Sequence, residues 1–398
     1  MNSKRETEAA RDFQPAARLR GIEKSMIRQL FDRALPGSIN LGLGEPDLPT
    51  PDVVRRAAVR AIQEEQNGYT THAGLPALRE LVAADYPQLS AASTTTSGPA
   101  TTALDNVIIT AGSQEALYLA LMTLVDEGDE VLLPDPGFVA YPTIVRMCGG
   151  RPVFYRLPAR GAFAFDAEDF RRRLTPRTRA VVCISPSNPT GRAFSNADLS
   201  AMADALRDSD AYVISDEIYR EIYFGEARPA SISEHTFAHR SVVIGGLSKS
   251  MSMTGWRIGW MCGAAEVVRS ALVLHGYVTT CASTVSQKAA LAAWTDEAEA
   301  ARTETRRIFR ARRDELLSLI ARELNLRAVA PEGAFYLMLD LSAHGSSMEV
   351  AERLLAHGVI TVPGSAFGSE GEGYLRLSFC ADAPRLAEGV RRIKEALK

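Results

Sequence analysis

Between residues 107 and 244 the chain repeats one pattern: a short, unbroken run of apolar and β-branched residues, then a longer stretch of helical period. VIIT (107 to 110) leads into SQEALYLALMTLV, and EVLLP into a stretch around YPTIVRMC. RAVVCIS (179 to 185) leads through a turn into NADLSAMADALR; AYVIS (211 to 215) and SVVI (241 to 244) complete the series. Charged and polar residues stay out of the runs, as in strands covered on both faces. Strands alternating with helices predict an α/β fold, a mostly parallel sheet with helices on both faces.

Past residue 285 the pattern changes. Long Arg- and Glu-rich helical stretches come first, then GAFYLMLDL (333 to 341), SMEVAERLLAHG, VITVPG and YLRLSF (374 to 379), which reads as a smaller α+β unit. The segment from about 20 to 50, with LGLGEPDLPTP, is expected to return to that unit. The expected division is thus 1–50 as an N-terminal arm with part of the small domain, 51–285 as the large domain, and 286–398 as the small C-terminal domain. Residues 87 to 104, PQLSAASTTTSGPATTAL, read as a surface loop, and no internal repeat is visible.

A length of 398 residues agrees with one large domain carrying a second, smaller one. With 46% hydrophobic and 23% charged residues and a net charge of −3, the chain has no electrostatic reason to bind nucleic acid or an acidic membrane. Five cysteines without CxxC spacing suit a reducing compartment and read as small buried hydrophobes. No apolar signal segment opens the chain and no run of 18 apolar residues occurs, so a cytoplasmic location is expected.

In open parallel sheets ligands bind beyond the carboxyl ends of the strands, and four predicted strands end in something polar. After VIIT, Gly112 lets the backbone turn and Ser113 opens a helix whose N-terminus suits a phosphate; an ordinary serine N-cap with Glu115 in the first turn accounts for it equally well. After RAVVCIS comes PSNPTG, where Pro189 drives Asn188 toward an extended conformation with its amide turned outward, although NPTG alone is a common turn. Asp216 follows AYVIS, with Tyr219 three residues on, as a helix cap or as the partner of a buried cation. GGLSK follows SVVI; it lacks the glycine spacing of a P-loop, and by itself Lys249 could be a solvated lysine.

Together the four ends supply what an aldehyde cofactor acting as an electron sink requires: a lysine for a Schiff base, an acid against a ring nitrogen, donors for a ring oxygen, and a phosphate cup. Lys249, Asp216, Asn188 with Tyr219, and Gly112/Ser113 with Ser248 and Arg257 fill those places. A lysine amine, at about 10.4 when unperturbed, must fall by several units to act near neutrality; an apolar setting and a nearby Arg257 both push it down.

Ten stretches in order, LGLGEPDLPTP, NGYTTHAGLPALRE, ITAGSQEAL, GDEVLLPDPGFVAY, SNPTG, SDEIY, GGLSKSMSMTGWRIGW, GAFY, VPGSAFG and YLRLSF, resemble the fold-type I pyridoxal-phosphate enzymes. Within these the resemblance is to the class I/II aminotransferases, from about residue 20 to the C-terminus. It implies a large cofactor domain with a seven-stranded type of sheet and pyridoxal 5'-phosphate as cofactor. Lys249 would be the Schiff-base lysine and proton shuttle, Asp216 the partner of the ring nitrogen, and Asn188 and Tyr219 donors to the ring's phenolic oxygen. Phe138 would stack on the ring; Ser248, Arg257 and the backbone around Gly112, Ser113 and Gln114 would hold the phosphate. Tyr69 resembles the tyrosine that reaches the neighbouring subunit's cofactor, which implies a homodimer with shared sites. Arg376, with Gly44 and Asn188, would bind the substrate α-carboxylate.

Two departures stand out. Gly246 occupies a position where some members have a serine on the phosphate, and Ser113 one where certain acidic-substrate members carry a lysine; the latter tilts the expectation toward neutral or aromatic amino acids. The implied reaction is a ping-pong exchange of the amino group between an amino acid and a 2-oxo acid. A C–S β-lyase would share Lys249, Asp216 and Arg376. A cofactor-sensing regulator would need a DNA-binding extension, for which only some 20 polar residues precede the resemblance. HTFAH (His235, His239) lacks the glutamate and third ligand of a metal site, so no metal is expected, and neither G-x-S-x-G nor G-x-G-x-x-G occurs.

Overall fold

The structure is a computed structural model describing residues 13–16, 19–22, 24, 26–64, 66–91, 102–235 and 238–398. Its strands are β1 Ile39–Asn40, β2 Val107–Thr110, β3 Glu130–Asp135, β4 Arg151–Arg156, β5 Thr178–Ile184, β6 Tyr212–Asp216, β7 Ser241–Gly246, β8 Gly259–Gly263, β9 Tyr336–Asp340, β10 Val359–Ile360, β11 Val362–Pro363 and β12 Tyr374–Ser378. Seven form one sheet in the order β2-β8-β7-β6-β5-β3-β4. All neighbours in it pair parallel except β8, which is antiparallel to both β2 and β7.

Period-two alternation within the apolar runs explains why both faces are covered. Ile108, Val182, Ile214, Val242 and Ile244 point into one hydrophobic core, while Val107, Ile109, Val181, Val213 and Val243 point into another on the opposite face. Helices Ser113–Leu124, Ala140–Met147 and Asn196–Ala205 follow their strands as the sequence pattern predicts. Asn196–Ala205 is opened by a capping box in which Ser195 and Asp198 satisfy each other's backbone N–H groups.

Two strands of the seven-stranded sheet lie outside the predicted set. β4 is a sheet edge with partly exposed residues, which is why Pro152, unable to donate a ladder hydrogen bond, is tolerated there. β8 is hidden by its glycines. A Cβ at Gly259 would lie 2.6 Å from the Ser113 nitrogen, and one at Gly245 2.2 Å from the Trp260 indole, so the close approach of β8 to β7 and to the Ser113 helix excludes side chains there.

The Arg- and Glu-rich stretch is a 24-residue helix, Asp296–Leu319, capped by Thr295. Beyond it β11, β12 and β9 form an antiparallel sheet, and β1 pairs parallel with β10, so the segment around residue 40 does meet the C-terminal strands. Leu337, Leu339, Leu375 and Leu377 of that sheet join the same core as Ile108 and Ile214.

The loop expected over 87 to 104 is corrected at both ends. Pro87–Ala91 is a short helix with Leu89 buried in the core, and Ala103–Asn106 is a 3-10 turn capped by Thr102 and Asp105; residues 92–101 lie outside the described residues. Buried cysteines are found at Cys183, Cys262 and Cys380, but Cys148 and Cys281 are only half-buried; all five are free thiols. Among the described residues no helix is long and apolar enough to cross a membrane.

Candidate active site

The carboxyl ends of β2, β5, β6 and β7 open into one cavity of about 310 Å³, closed from the other side by Gly44 and by Tyr336 and Arg376 of the antiparallel sheet. Beyond β2, Gly112 adopts φ +86°, a left-handed conformation that favours glycine, and becomes the N-cap of helix Ser113–Leu124. No side chain caps this helix; Ser113 is its first residue rather than its cap, so the serine-cap alternative does not hold. The first-turn N–H groups of such a helix are left for a ligand, with the positive end of the helix dipole behind them. A Cβ on residue 112 would lie 2.5 Å from Arg257 Nη2, so the guanidinium rests on the bare glycine. Arg257, at φ +51°, donates from Nη1 to the Thr254 carbonyl at 2.9 Å.

Asp216 closes β6 as its last residue. One carboxylate oxygen accepts the Ile218 N–H (3.2 Å) in a turn that no helix follows, so the helix-cap alternative does not hold, and the other accepts the Tyr141 hydroxyl (2.9 Å). Burial pushes its pKa up to about 6, against the opposing pull of those two bonds and of Lys249. Lys249, in the turn after β7, is half-buried, donates to the Gly44 carbonyl at 2.8 Å and lies 5.9 Å from the Phe335 ring centroid. Burial holds its amine below the ordinary lysine range, with Arg376 and Arg257 acting in the same direction.

Arg376 sits mid-strand on β12 at 3% exposure. Its neighbours Leu375 and Leu377 face the core, and the alternation turns Arg376 to the cavity rather than to solvent. It donates to Asn188 Oδ1 at 2.8 Å and to the Gly42 carbonyl, and lies over the Tyr336 ring at 4.3 Å and the Phe367 ring at 4.8 Å; its Nε is buried without a hydrogen-bond partner.

The cavity thus brings together Gly44, Ser113, Gln114, Phe138, Asn188 and Asp216 with Tyr219, Ser248, Lys249, Arg257 and Arg376. Gly112 stands just behind, under Arg257. Tyr69 is not brought in; it is 88% exposed. Sequence reasoning missed two hydroxyls. Tyr141 holds Asp216, and Tyr336 lies 3.0 Å from Tyr219, oxygen to oxygen. Both fall inside stretches that carry the resemblance, PDPGFVAY and GAFY, but a lone tyrosine beside apolar residues gives no signal beyond core packing.

An amine, a buried carboxylate and a buried arginine at the strand ends of this mostly parallel sheet define an aminotransferase of fold type I. The description "Aminotransferase class I and II" matches residues 36–393, and the chain belongs to that family. It is 33% identical over 389 residues to the "Probable aspartate aminotransferase" of Methanocaldococcus jannaschii, covering 96% of this chain and 99% of the relative. It is also 33% identical over 386 residues to "Aromatic-amino-acid aminotransferase 2" of Thermococcus litoralis, covering 96% and 97%. Its backbone superposes on a double mutant of the Thermus thermophilus aspartate aminotransferase with a TM-score of 0.89 at 33% identity, covering 96% of this chain and all of that one.

Proposed function

We propose that this transaminase works with pyridoxal 5'-phosphate held by Lys249, and that it exchanges amino groups between apolar or aromatic amino acids and 2-oxo acids in two successive half-reactions. The observation that carries the reading is the convergence of Lys249, Asp216 and Arg376 on one cavity. The donor set fits the cofactor. The uncapped helix at Gly112 with Arg257 and Ser248 would hold a phosphate, the buried Asp216 carboxylate a protonated ring nitrogen, and Asn188 and Tyr219 the ring's phenolic oxygen, with Phe138 against the ring face.

When bound, pyridoxal phosphate supplies an electron sink for bond breaking at the substrate α-carbon. The chain's own groups do the rest. Burial keeps the Lys249 amine poised to release its proton, so Nζ can take a proton from the α-carbon and return it elsewhere. Arg376 would clamp the substrate carboxylate as a fork, spending its unpartnered Nε on it, and so orient the α-carbon toward Lys249. Asp216, once paired with a cation, is held ionised despite its burial.

For the side chain of the substrate, the relevant lining is Ile27, Leu43, Ser113 and Phe138. The cations that line the cavity, Lys249, Arg257 and Arg376, already have partners or roles. Ile27, Leu43, Gln114 and Phe138 also line an adjoining cavity of about 690 Å³ whose further walls include Phe31, Val139, Ile144 and Met147, with Arg28 and Glu115 as its charged members. Space of that size and polarity suits a large apolar or aromatic side chain better than the short carboxylate of aspartate.

The exposed Tyr69 supports a homodimer in which it enters the partner's site. The division into domains at about residues 50 and 285 and a cytoplasmic location are part of the same proposal. The test is spectral and covalent. Protein mixed with the cofactor should absorb in the near-ultraviolet and visible, and borohydride should fix the added mass on Lys249. A donor panel against 2-oxoglutarate and pyruvate should then rank phenylalanine and leucine above aspartate in kcat/KM. No adduct at Lys249 would sink the cofactor reading; a preference for aspartate would sink the substrate reading alone.

A further inference from the structure

Tyr336 lines the cavity and meets Arg376, Tyr219 and Gly44 there. It is the first residue of β9 and pairs in register with Ser378, which sets it diagonally beside Arg376 on one face of the antiparallel sheet. Its ring lies under the Arg376 guanidinium at 4.3 Å, and its hydroxyl is 3.0 Å from that of Tyr219. A Cβ at residue 44 would stand 1.5 Å from the same hydroxyl, so the side chain occupies space that exists because position 44 is glycine. The residue is 2% exposed, and among the described hydrogen bonds Tyr219 is the partner of its hydroxyl.

Each phenol carries one proton, and the pair shares one hydrogen bond in which either oxygen can donate. If Tyr219 donates to Tyr336, its proton is spent inside the wall. If Tyr336 donates to Tyr219, the Tyr219 proton is free to point into the cavity, and the two O–H dipoles reinforce each other. We propose that Tyr336 is a positioning residue that donates to the Tyr219 oxygen, thereby turning the Tyr219 proton toward the cofactor's ring oxygen, while its ring seats the arginine that receives the substrate carboxylate. One side chain then links carboxylate binding to the donor that tunes the cofactor. This rests on the cofactor reading above.

The test uses full-length protein loaded with pyridoxal phosphate and reads the pH at which the bound cofactor's absorbance changes. Tyr336→Phe keeps the ring over Arg376 and deletes the hydroxyl. The relay requires the titration midpoint to rise by about half a unit, in the same direction as in Tyr219→Phe, with KM for the amino acid staying within about twofold because the ring contact survives. Adding Tyr336→Phe to Tyr219→Phe should move the midpoint no further, since the relay has no other outlet. A midpoint unmoved by Tyr336→Phe, or moved equally with and without Tyr219, overturns the relay while leaving the cofactor reading intact. A wild type without any cofactor absorbance overturns that reading and the relay with it.

Discussion

Replacing Asp216 with asparagine separates the cost of a buried charge from its use. The carboxyl is 6% exposed, and burial raises its pKa from 3.8 to about 6. At about 1.4 kcal/mol per pH unit, ionised Asp216 weakens the cofactor-free fold by about 3 kcal/mol at pH 8. The sign follows from linkage: a carboxyl whose folded pKa is raised binds more protons in the native state between those two values. Its stabilising contribution is complete below about pH 3.8 and is lost as the pH climbs through about 6. Asparagine has the same shape and never ionises. Its oxygen can take the Ile218 N–H, and the Tyr141 hydroxyl can rotate to accept from its nitrogen, so both present contacts keep a counterpart. Cofactor-free Asp216→Asn should therefore exceed the wild type by about 2 to 3 kcal/mol at pH 8, and by roughly half of that at pH 5. Urea unfolding followed by tryptophan fluorescence at the two pH values measures both differences. With the cofactor bound the order of merit reverses, because a neutral amide cannot balance a protonated ring nitrogen, and transamination should fall by on the order of a hundredfold or more. A variant no more stable than the wild type at pH 8, or equally stabilised at both pH values, would refute the reasoning.

Other perturbations act on the carboxylate clamp, the side-chain end of the cavity and the seat of Tyr336. Arg376→Gln should lower kcat/KM on the order of 100- to 1000-fold, chiefly through KM in steady-state assays, because a substrate carboxylate would be left in a buried site without its charged partner. Ser113→Lys places a cation on the cavity wall and should shift the ratio of kcat/KM for aspartate over phenylalanine upward by about tenfold or more, measured with one common acceptor. Gly44→Ala forces a methyl to within 1.5 Å of the Tyr336 hydroxyl, and should cost about 1 to 3 kcal/mol in urea unfolding while raising KM through the displaced Tyr336 and Arg376.

What the sequence displays is what burial on two faces demands. β5, β6 and β7 are central strands, and β2, although it closes one edge of the sheet, is buried along its whole length; all four stand out as unbroken apolar runs. β4 escapes notice because an edge strand can afford Arg151, Pro152 and Arg156. β8 escapes because contact with its neighbours requires glycines at residues whose side chains would otherwise mark a strand. In the same way PQLSA reads as loop because the polar, Ser/Thr-rich stretch that follows it hides the signal of Leu89, which the core accepts.

The site divides along the same line. Lys249, Asp216 and Asn188 are legible because each ends or closely follows an apolar run at a strand's carboxyl end, where ligands of open parallel sheets bind. The contribution of Tyr336 depends instead on register. The pairing of Tyr336 with Ser378 and of Met338 with Arg376 decides that tyrosine and arginine share a face while the leucines between them enter the core. A slip of one residue between β9 and β12 would break that arrangement and send the charged or the apolar set to the wrong side. The large buried leucine set therefore does more than hold the antiparallel sheet together: by fixing its register, it fixes where the arginine meets the hydroxyl pair. Core residues at Leu337 and Leu377, outside the cavity lining, would thereby set the geometry that the proposed carboxylate clamp and the proposed Tyr219 proton donor both require.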